Sequence, residues 1–323
     1  MKAVFILAIL AVSAFAREDW EVHYEWEKFR SEFKRVYNSA GHAFERFNVF
    51  RDNLRQIDEH NDKGLSYFLR VNEFADLTNE EWNAQKASCF LADKPKGAET
   101  AALNTNALPE SVDWVSGGAV TPVKNQGSCG SCWAFSTTGS TEGANAIFSK
   151  KLVSLSEQQL VDCGAKEGSH GCQGGLMDFG FQYILDNKGI CSEADYPYEG
   201  KGGTCRSTSC TNAVEITSFT DVKQASEIDL QAAVAQQPVS VAVDAASFWW
   251  QFYGGGVFKH NCGTSLDHGV LAVGYGTDKD LKYWKVKNSW AETWGEKGYI
   301  RLERGKGGKG ECGIAAQPSY PNQ

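Results

Sequence analysis

Ten cysteines constrain this chain more than any other feature, because nine of them lie beyond residue 108 and the chain opens on what reads as an export leader. Lys2 is followed by the apolar run Val4 to Val12 and then by Ala14-Phe15-Ala16, a small-x-small pattern that predicts a secretory signal cut after Ala16. The run is too short to cross a bilayer, so no membrane anchor is expected. An exported chain meets an oxidising compartment, where bridges rather than free thiols are the default. The odd count beyond residue 108 then flags one thiol for chemistry.

Composition narrows the classes further. The chain has 323 residues with 42% hydrophobic, which supports one or two sizeable cores and excludes wholesale disorder. The net charge is −8 and no window is rich in arginine and lysine, which argues against a nucleic-acid partner.

Residues 17 to about 87 read as helical and cysteine-free. Trp26, Phe29, Phe33 and Tyr37 recur at steps of three or four, as an apolar stripe on a charged helix. A second helix is predicted from about His42 to Asp62, with Phe47, Phe50, Leu54 and Ile57 inward, and one strand over Tyr67 to Val71. Thr78-Asn79-Glu80-Glu81 has capping-box spacing and opens a third helix through Trp82. This segment is too small for an independent core, so it is expected to pack on something else. Residues 92 to 107 turn small and polar, which marks a linker open to proteolysis. Beyond Leu108, helices are predicted over Cys132 to Phe148, Ser156 to Cys163 and Met177 to Asn187. Strands are predicted over Val239 to Val243, Gly269 to Val273, Tyr283 to Lys287 and Tyr299 to Glu303. The reading is α+β: a helical lobe followed by a β lobe.

The segment Gln126-Gly127-Ser128-Cys129-Gly130-Ser131-Cys132-Trp133 carries the chemistry. A redox Cys-x-x-Cys wants a thioredoxin-like context, and a zinc knuckle wants a second tight pair of ligands; neither follows. The third reading sets Cys132 at a helix start, where unpaired N–H groups and the helix dipole favour thiolate. A thiolate nucleophile needs an acid–base partner, and imidazole suits that role. His23, His42 and His60 precede the linker, and His170 and His260 sit in polar stretches beside cysteines. His268 differs by opening the strand-like Leu266-Asp267-His268-Gly269-Val270-Leu271, with Asn288 as a polar orienter for its far nitrogen. Any one of these histidines alone is more simply a surface or core residue; the combination is what points to catalysis.

With these residues the chain resembles the papain-like cysteine proteases of the cathepsin L type across nearly its whole length after the leader, and the Cys132, His268 and Asn288 spacing belongs to that resemblance. The resemblance implies a papain-like two-lobed fold, a helical lobe plus a β-barrel-like lobe, preceded by a small helical prodomain. It implies that Cys132 is the nucleophile, His268 its acid–base partner, Asn288 the orienter, and Gln126 an oxyanion donor, with Trp290 shielding the His268–Asn288 bond. It also implies bridges Cys129–Cys172, Cys163–Cys205 and Cys262–Cys312. Cys191 and Cys210 stand outside that common pattern and are expected to form a fourth. Cys89 has no obvious partner: it is either free or a tether for the prosegment.

Residues 1–16 are thus expected to be the signal, 17–107 an inhibitory propeptide and 108–323 the mature peptidase. Arg46, Phe50, Asn53, Ile57 and Asn61 match the propeptide's long-helix motif, and Asn72, Phe74 and Asp76 its second motif. Two positions depart from the family. His42 replaces a glutamate, which removes a salt bridge and is expected to loosen the prodomain, and Arg70 replaces a common glycine. By resemblance the propeptide runs backwards through the cleft and is released by cleavage near Leu108. Gly174 and Gly175 are expected to bind substrate backbone. Leu176, Met177, Ala242, Leu266 and Gly269 would wall an apolar S2 pocket with Gln317 at its base, favouring Leu, Val or Phe at P2. Trp294 is assigned to the primed side. No long insertion follows Gly175, which favours an endopeptidase; an aminopeptidase-type retained minichain stays open. Expected partners are polypeptide substrates, the propeptide itself and cystatin-like inhibitors, for a monomer without cofactor or metal, in the extracellular space, lysosome or vacuole. A catalytically dead binding protein and a structural disulfide protein are the competing classes.

Overall fold

The computed structural model describes residues 17–86, 99–100 and 103–323. The leader, Cys89 and most of the 92–107 linker lie outside the described residues.

The N-terminal segment starts with helices Asp19–Glu32 and Ala40–Asn61. Ser39 caps the second by accepting from the His42 N–H, and Glu18 and Glu21 cap the first reciprocally. Trp26, Phe29 and Phe50 meet between them, with Trp26 and Phe50 centroids 5.3 Å apart. Tyr37 does not extend the stripe on the first helix. That helix ends at Glu32, and Tyr37 folds back from the following turn to stack on Trp26 at 5.5 Å and donate to Asp76 Oδ2 at 2.9 Å. The strand is Tyr67–Leu69, two residues shorter than read, and the third helix is Asn79–Lys86. Its capping box forms: Thr78 N–H donates to Glu81 Oε2 at 2.9 Å and Glu81 N–H to Thr78 Oγ1 at 3.2 Å.

The expected loosening at His42 is offset by other pairings. Arg46 donates to Glu81 at 2.7 Å and to the Asp76 carbonyl at 3.0 Å, tying the long helix to the third helix. Asn53 donates to the carbonyls of Ala75 and Leu77, and Asn61 pairs with both backbone groups of Leu69. Each motif asparagine therefore holds the chain that returns across the helix.

Beyond residue 108, helix Cys132–Ser149 runs through the centre, with helices Glu157–Cys163 and Met177–Asp186 against it. Trp133, Leu160, Phe181 and Ile184 form the apolar core there. The other face of the central helix packs on strand His268–Asp278. That strand pairs antiparallel with Val239–Val243 on one side and Leu281–Lys287 on the other, and the latter with Tyr299–Glu303. His268–Asp278 is buried along nine successive residues because helix and sheet cover both faces, so it lacks the alternation that marks strand length. Strand Tyr253–Phe258 runs parallel to Tyr299–Glu303, and Ser319–Asn322 and Ser218–Asp221 complete the opposite side.

The two lobes are not simply consecutive. Val112–Asp113 pairs with Tyr275 and Gly274 before the helical part begins, so the chain enters through the β lobe. The N-terminal segment joins the same sheet: Tyr67–Leu69 adds antiparallel to Tyr253–Phe258. All four expected bridges are present, Cys191–Cys210 included.

Candidate active site

The loop Gln126–Ser131 delivers Cys132 to the first position of the central helix. There the helix dipole and unpaired amides favour negative charge on sulfur. Across the lobe boundary the Gly269 N–H donates to Cys132 Sγ at 3.1 Å, which sets His268, the first residue of its strand, beside the sulfur. Cys132 is disulfide-bonded in this structure, so it is not the free thiol expected of a nucleophile at rest, and reduction must precede attack.

His268 is fully buried, and its Nε2 meets Asn288 Oδ1 at 2.7 Å. Asn288 Oδ1 also accepts from the Ser289 N–H at 2.8 Å, which fixes the amide orientation. Trp290 stacks on the imidazole at 4.5 Å and closes that hydrogen bond from solvent. Burial lowers the His268 pKa to about 4, against the help of Asn288, and the nearby Lys86 ammonium lowers it further. In this covered, oxidised state burial favours the neutral ring. A Cys132 thiolate would act in the opposite sense, since an anion in contact favours imidazolium.

Gln126 is buried in the loop that leads to Cys132. Its Nε2 donates to the Cys129 carbonyl at 3.1 Å, and its Oε1 accepts from Ser289 Oγ at 2.7 Å. The second Nε2 hydrogen is left for another acceptor.

Of the expected pocket residues, Met177, Ala242 and Leu266 come together in one apolar cluster with Trp133. Gly269 adjoins it, since a Cβ there would lie 3.2 Å from Met177 Sδ. Gly175 is required where it stands: a Cβ would lie 2.6 Å from the Trp133 ring. Gly174 has φ +112°, the left-handed region that favours glycine. Leu176 is buried at the cap of the following helix and outside that cluster. Gln317 is half-buried, and its Oε1 has no hydrogen-bond partner among the described residues. Trp294 is buried in a tryptophan stack with Trp290 and Trp250.

The N-terminal segment covers this site. Trp82 meets Trp290 edge-on at 5.2 Å, and Lys86 donates to the Gly127 carbonyl. Burial lowers the Lys86 pKa to about 8. Arg70 Nη2 donates to the carbonyls of Thr293 and Gly295 at 2.9 and 2.8 Å, and Asn72 donates to the Gln251 carbonyl at 2.7 Å.

Two groups of residues that position the site went unread in the sequence. Lys124 Nζ lies 2.6 Å from Glu157 and 3.3 Å from Glu142, a buried cluster behind the catalytic helix. Its signal was available, because Glu142 is the one charged residue of helix Cys132–Ser149. The second is Gly254-Gly255-Gly256, over which the N-terminal strand lies; a Cβ on Gly256 would strike the Ser66 carbonyl.

Comparison with known proteins agrees with this geometry. The family described as papain family cysteine protease matches residues 108–322, and the cathepsin propeptide inhibitor domain matches residues 26–82. Cysteine protease XCP2 of Arabidopsis thaliana is 47% identical over 97% of this chain and 91% of its own length. Cysteine proteinase RD21A of the same plant is 48% identical over 88% of this chain, which spans only 62% of that relative. Among solved structures, the proform of the ragweed pollen allergen Amb a 11 cysteine protease superposes with a TM-score of 0.89 at 41% identity, covering 95% of this chain and 96% of that one.

Proposed function

This chain belongs to the papain family of cysteine proteases and carries that family's propeptide inhibitor domain, and on that premise we propose that it is the zymogen of an endopeptidase of the secretory pathway that prefers apolar residues at P2. One arrangement carries the reading: a cysteine at a helix N-terminus, in contact with the backbone beside a buried histidine whose far nitrogen is held by an asparagine at 2.7 Å.

In the reduced enzyme, Cys132 and His268 share one proton as thiolate and imidazolium. The sulfur attacks the scissile carbonyl carbon, and the oxyanion is met by the Cys132 N–H and the second Nε2 hydrogen of Gln126. His268 then gives its proton to the leaving amine, and the C–N bond breaks to leave a thioester on Cys132. Water, losing a proton to His268, attacks the thioester and releases the acid. Asn288 keeps the reactive nitrogen of His268 turned to the sulfur throughout, as Trp290 keeps water from their bond.

Specificity follows from the walls. Met177, Ala242, Leu266 and Gly269 present carbon and sulfur surface, which suits Leu, Val or Phe at P2, and Gln317 supplies a polar base. Gly174 and Gly175 leave room for the substrate backbone. The apolar leader and the bridges support passage through the secretory pathway, to the extracellular space or to a lysosome or vacuole. Residues 17–107 act as the intramolecular inhibitor: Arg70, Trp82 and Lys86 mark its course from the loop at Thr293 to the loop at Gly127, and removal near Leu108 opens the cleft. A monomer suffices because every proposed group comes from one chain, and the opened cleft suits polypeptide substrates and cystatin-like inhibitors.

The test is hydrolysis of Phe-Arg and Leu-Arg peptide amides by acid-processed, reduced protein beside Cys132→Ala. Cleavage that is lost in the variant and blocked by an epoxide thiol inhibitor is expected. Processed, folded protein without cleavage would overturn the reading.

A further inference from the structure

We propose that His60, Tyr67 and His260 form an acid-sensitive fastener that holds the propeptide on the β lobe and lets go when the two imidazoles take up protons. The inference rests on the zymogen reading above and adds the place where pH acts. His60 sits in the last turn of the long propeptide helix, nearly fully buried, with Nε2 3.3 Å from the Tyr67 carbonyl and its ring 4.5 Å from the Tyr67 ring. Tyr67 is equally buried and crosses the interface, its hydroxyl 2.7 Å from His260 Nδ1 and its ring 4.6 Å from Phe258. His260 belongs to the peptidase part and stacks on Trp249 at 3.8 Å. One tyrosine thus links a histidine of the inhibitor to a histidine of the enzyme, next to the strand pairing of Tyr67–Leu69 with Tyr253–Phe258.

A tyrosine hydroxyl that donates needs a neutral His260 nitrogen to accept. Protonation turns that acceptor into a donor, and it places two cations on either side of one buried ring. Lys63, near both, adds positive charge. Glu311 faces His260 with the opposite sign and accepts from its backbone N–H at 3.0 Å, but it is already paired with Lys306 at 2.7 Å. Lys259 and Glu303 pair with each other alongside at 2.8 Å. Burial is the first cause for both histidines and lowers both pKa values. The closed form therefore binds fewer protons than the open form below about pH 6.5, so docking is strongest above that pH and weakens as pH falls through it.

The test uses the full chain carrying Cys132→Ala, so that no processing confuses the readout. Hydrogen exchange, corrected for intrinsic rates, is followed over residues 64–71 and 253–258, with strand His268–Asp278 as an internal control of folding. Protection of the interface is expected to fall at least tenfold from about pH 7 to about pH 5 while the control strand holds. His60→Gln with His260→Gln should move that loss to lower pH, each single change moving it part way. An unshifted transition in the double variant overturns the proposal. If the double variant already lacks protection near neutral pH, NMR titration of the two imidazoles in the Cys132→Ala chain decides: midpoints inside the opening transition support the fastener, and midpoints well outside it overturn it. A loss of peptidase activity in processed wild-type protein would refute the functional reading without touching this result.

Discussion

Gln126 shows how far a single side chain can be pressed. Both ends of its amide are engaged, by Cys129 and Ser289, so the group is held rigid before substrate arrives. Rigid donors aimed at developing charge lower barriers most, and loss of one costs about 3 kcal/mol. Gln126→Ala should therefore reduce kcat by roughly two orders of magnitude with little change in KM, as steady-state kinetics on a peptide amide would register. Were KM to rise instead, Gln126 would be a binding group and the assignment would fail. The state of Cys132 supports a second expectation at this scale. Because the sulfur is disulfide-bonded, an alkylating probe should leave Cys132 unlabelled in the non-reduced full chain and label it after mild thiol reduction, as peptide mass spectrometry would read. Labelling without reductant would contradict the bonded state. That Cys132, His268 and Asn288 come together was legible because residue type and spacing coincide with a known family. The oxidation of Cys132 was not, since bonding is decided by what approaches a sulfur in space.

Between elements, the cluster of Lys124, Glu142 and Glu157 is what the sequence pattern hid. Glu142 and Glu157 come from two different helices, and Lys124 reaches both from the loop ahead of Gln126. Thr121 and the Leu155 N–H bond Glu142, and Thr138 bonds Glu157. Burial pushes Glu157 up to about 7, whereas Lys124 and Lys287 hold Glu142 low despite its burial. The physical picture is one carboxylate charged and one readily protonated, bridged by the Lys124 ammonium with Lys287 nearby. Lys124→Met should cost about 3–5 kcal/mol, because it removes the ion-pair partner of a buried charged carboxylate. Denaturant unfolding of the Cys132→Ala chain would measure this, and a loss below about 1 kcal/mol would mean that water reaches the carboxylates. Periodicity found the helices Cys132–Ser149, Glu157–Cys163 and Met177–Asp186 to within two residues. It missed Tyr253–Phe258, whose three successive glycines carry no apolar alternation, and whose pairing with Tyr67–Leu69 is irregular, with Gly256 at φ +92°. The gap between expectation and structure is widest where two segments distant in sequence exchange backbone bonds, since local pattern carries no record of the partner.

At the scale of the whole molecule the question is how firmly the closed form is held, and Arg70 bears on it directly. Many members of the family that this chain resembles have glycine at this position, so the guanidinium makes contacts here that a glycine could not. It spans from the propeptide strand to two carbonyls, Thr293 and Gly295, on either side of Trp294, and its own backbone N–H donates to Phe252 at 2.9 Å. The backbone bond survives substitution and the two side-chain bonds do not. Hydrogen bonds to a charged donor contribute about 1.5–3 kcal/mol, reduced here because the guanidinium is partly open to solvent. Arg70→Gly should therefore loosen the inhibitor by roughly tenfold and, in the reduced chain, speed self-processing by a similar factor at a pH just below neutral. The processed enzyme offers a control within the same experiment. Once residues 17–107 are gone Arg70 is gone with them, so wild-type and variant products must show the same kcat/KM. Equal processing rates would mean that the strand pairing of Tyr67–Leu69 and the contacts of Trp82 and Lys86 already hold the cleft shut. Unequal kcat/KM after complete processing would mean that the propeptide also guides folding of the peptidase, and that Arg70 acts before the zymogen is complete.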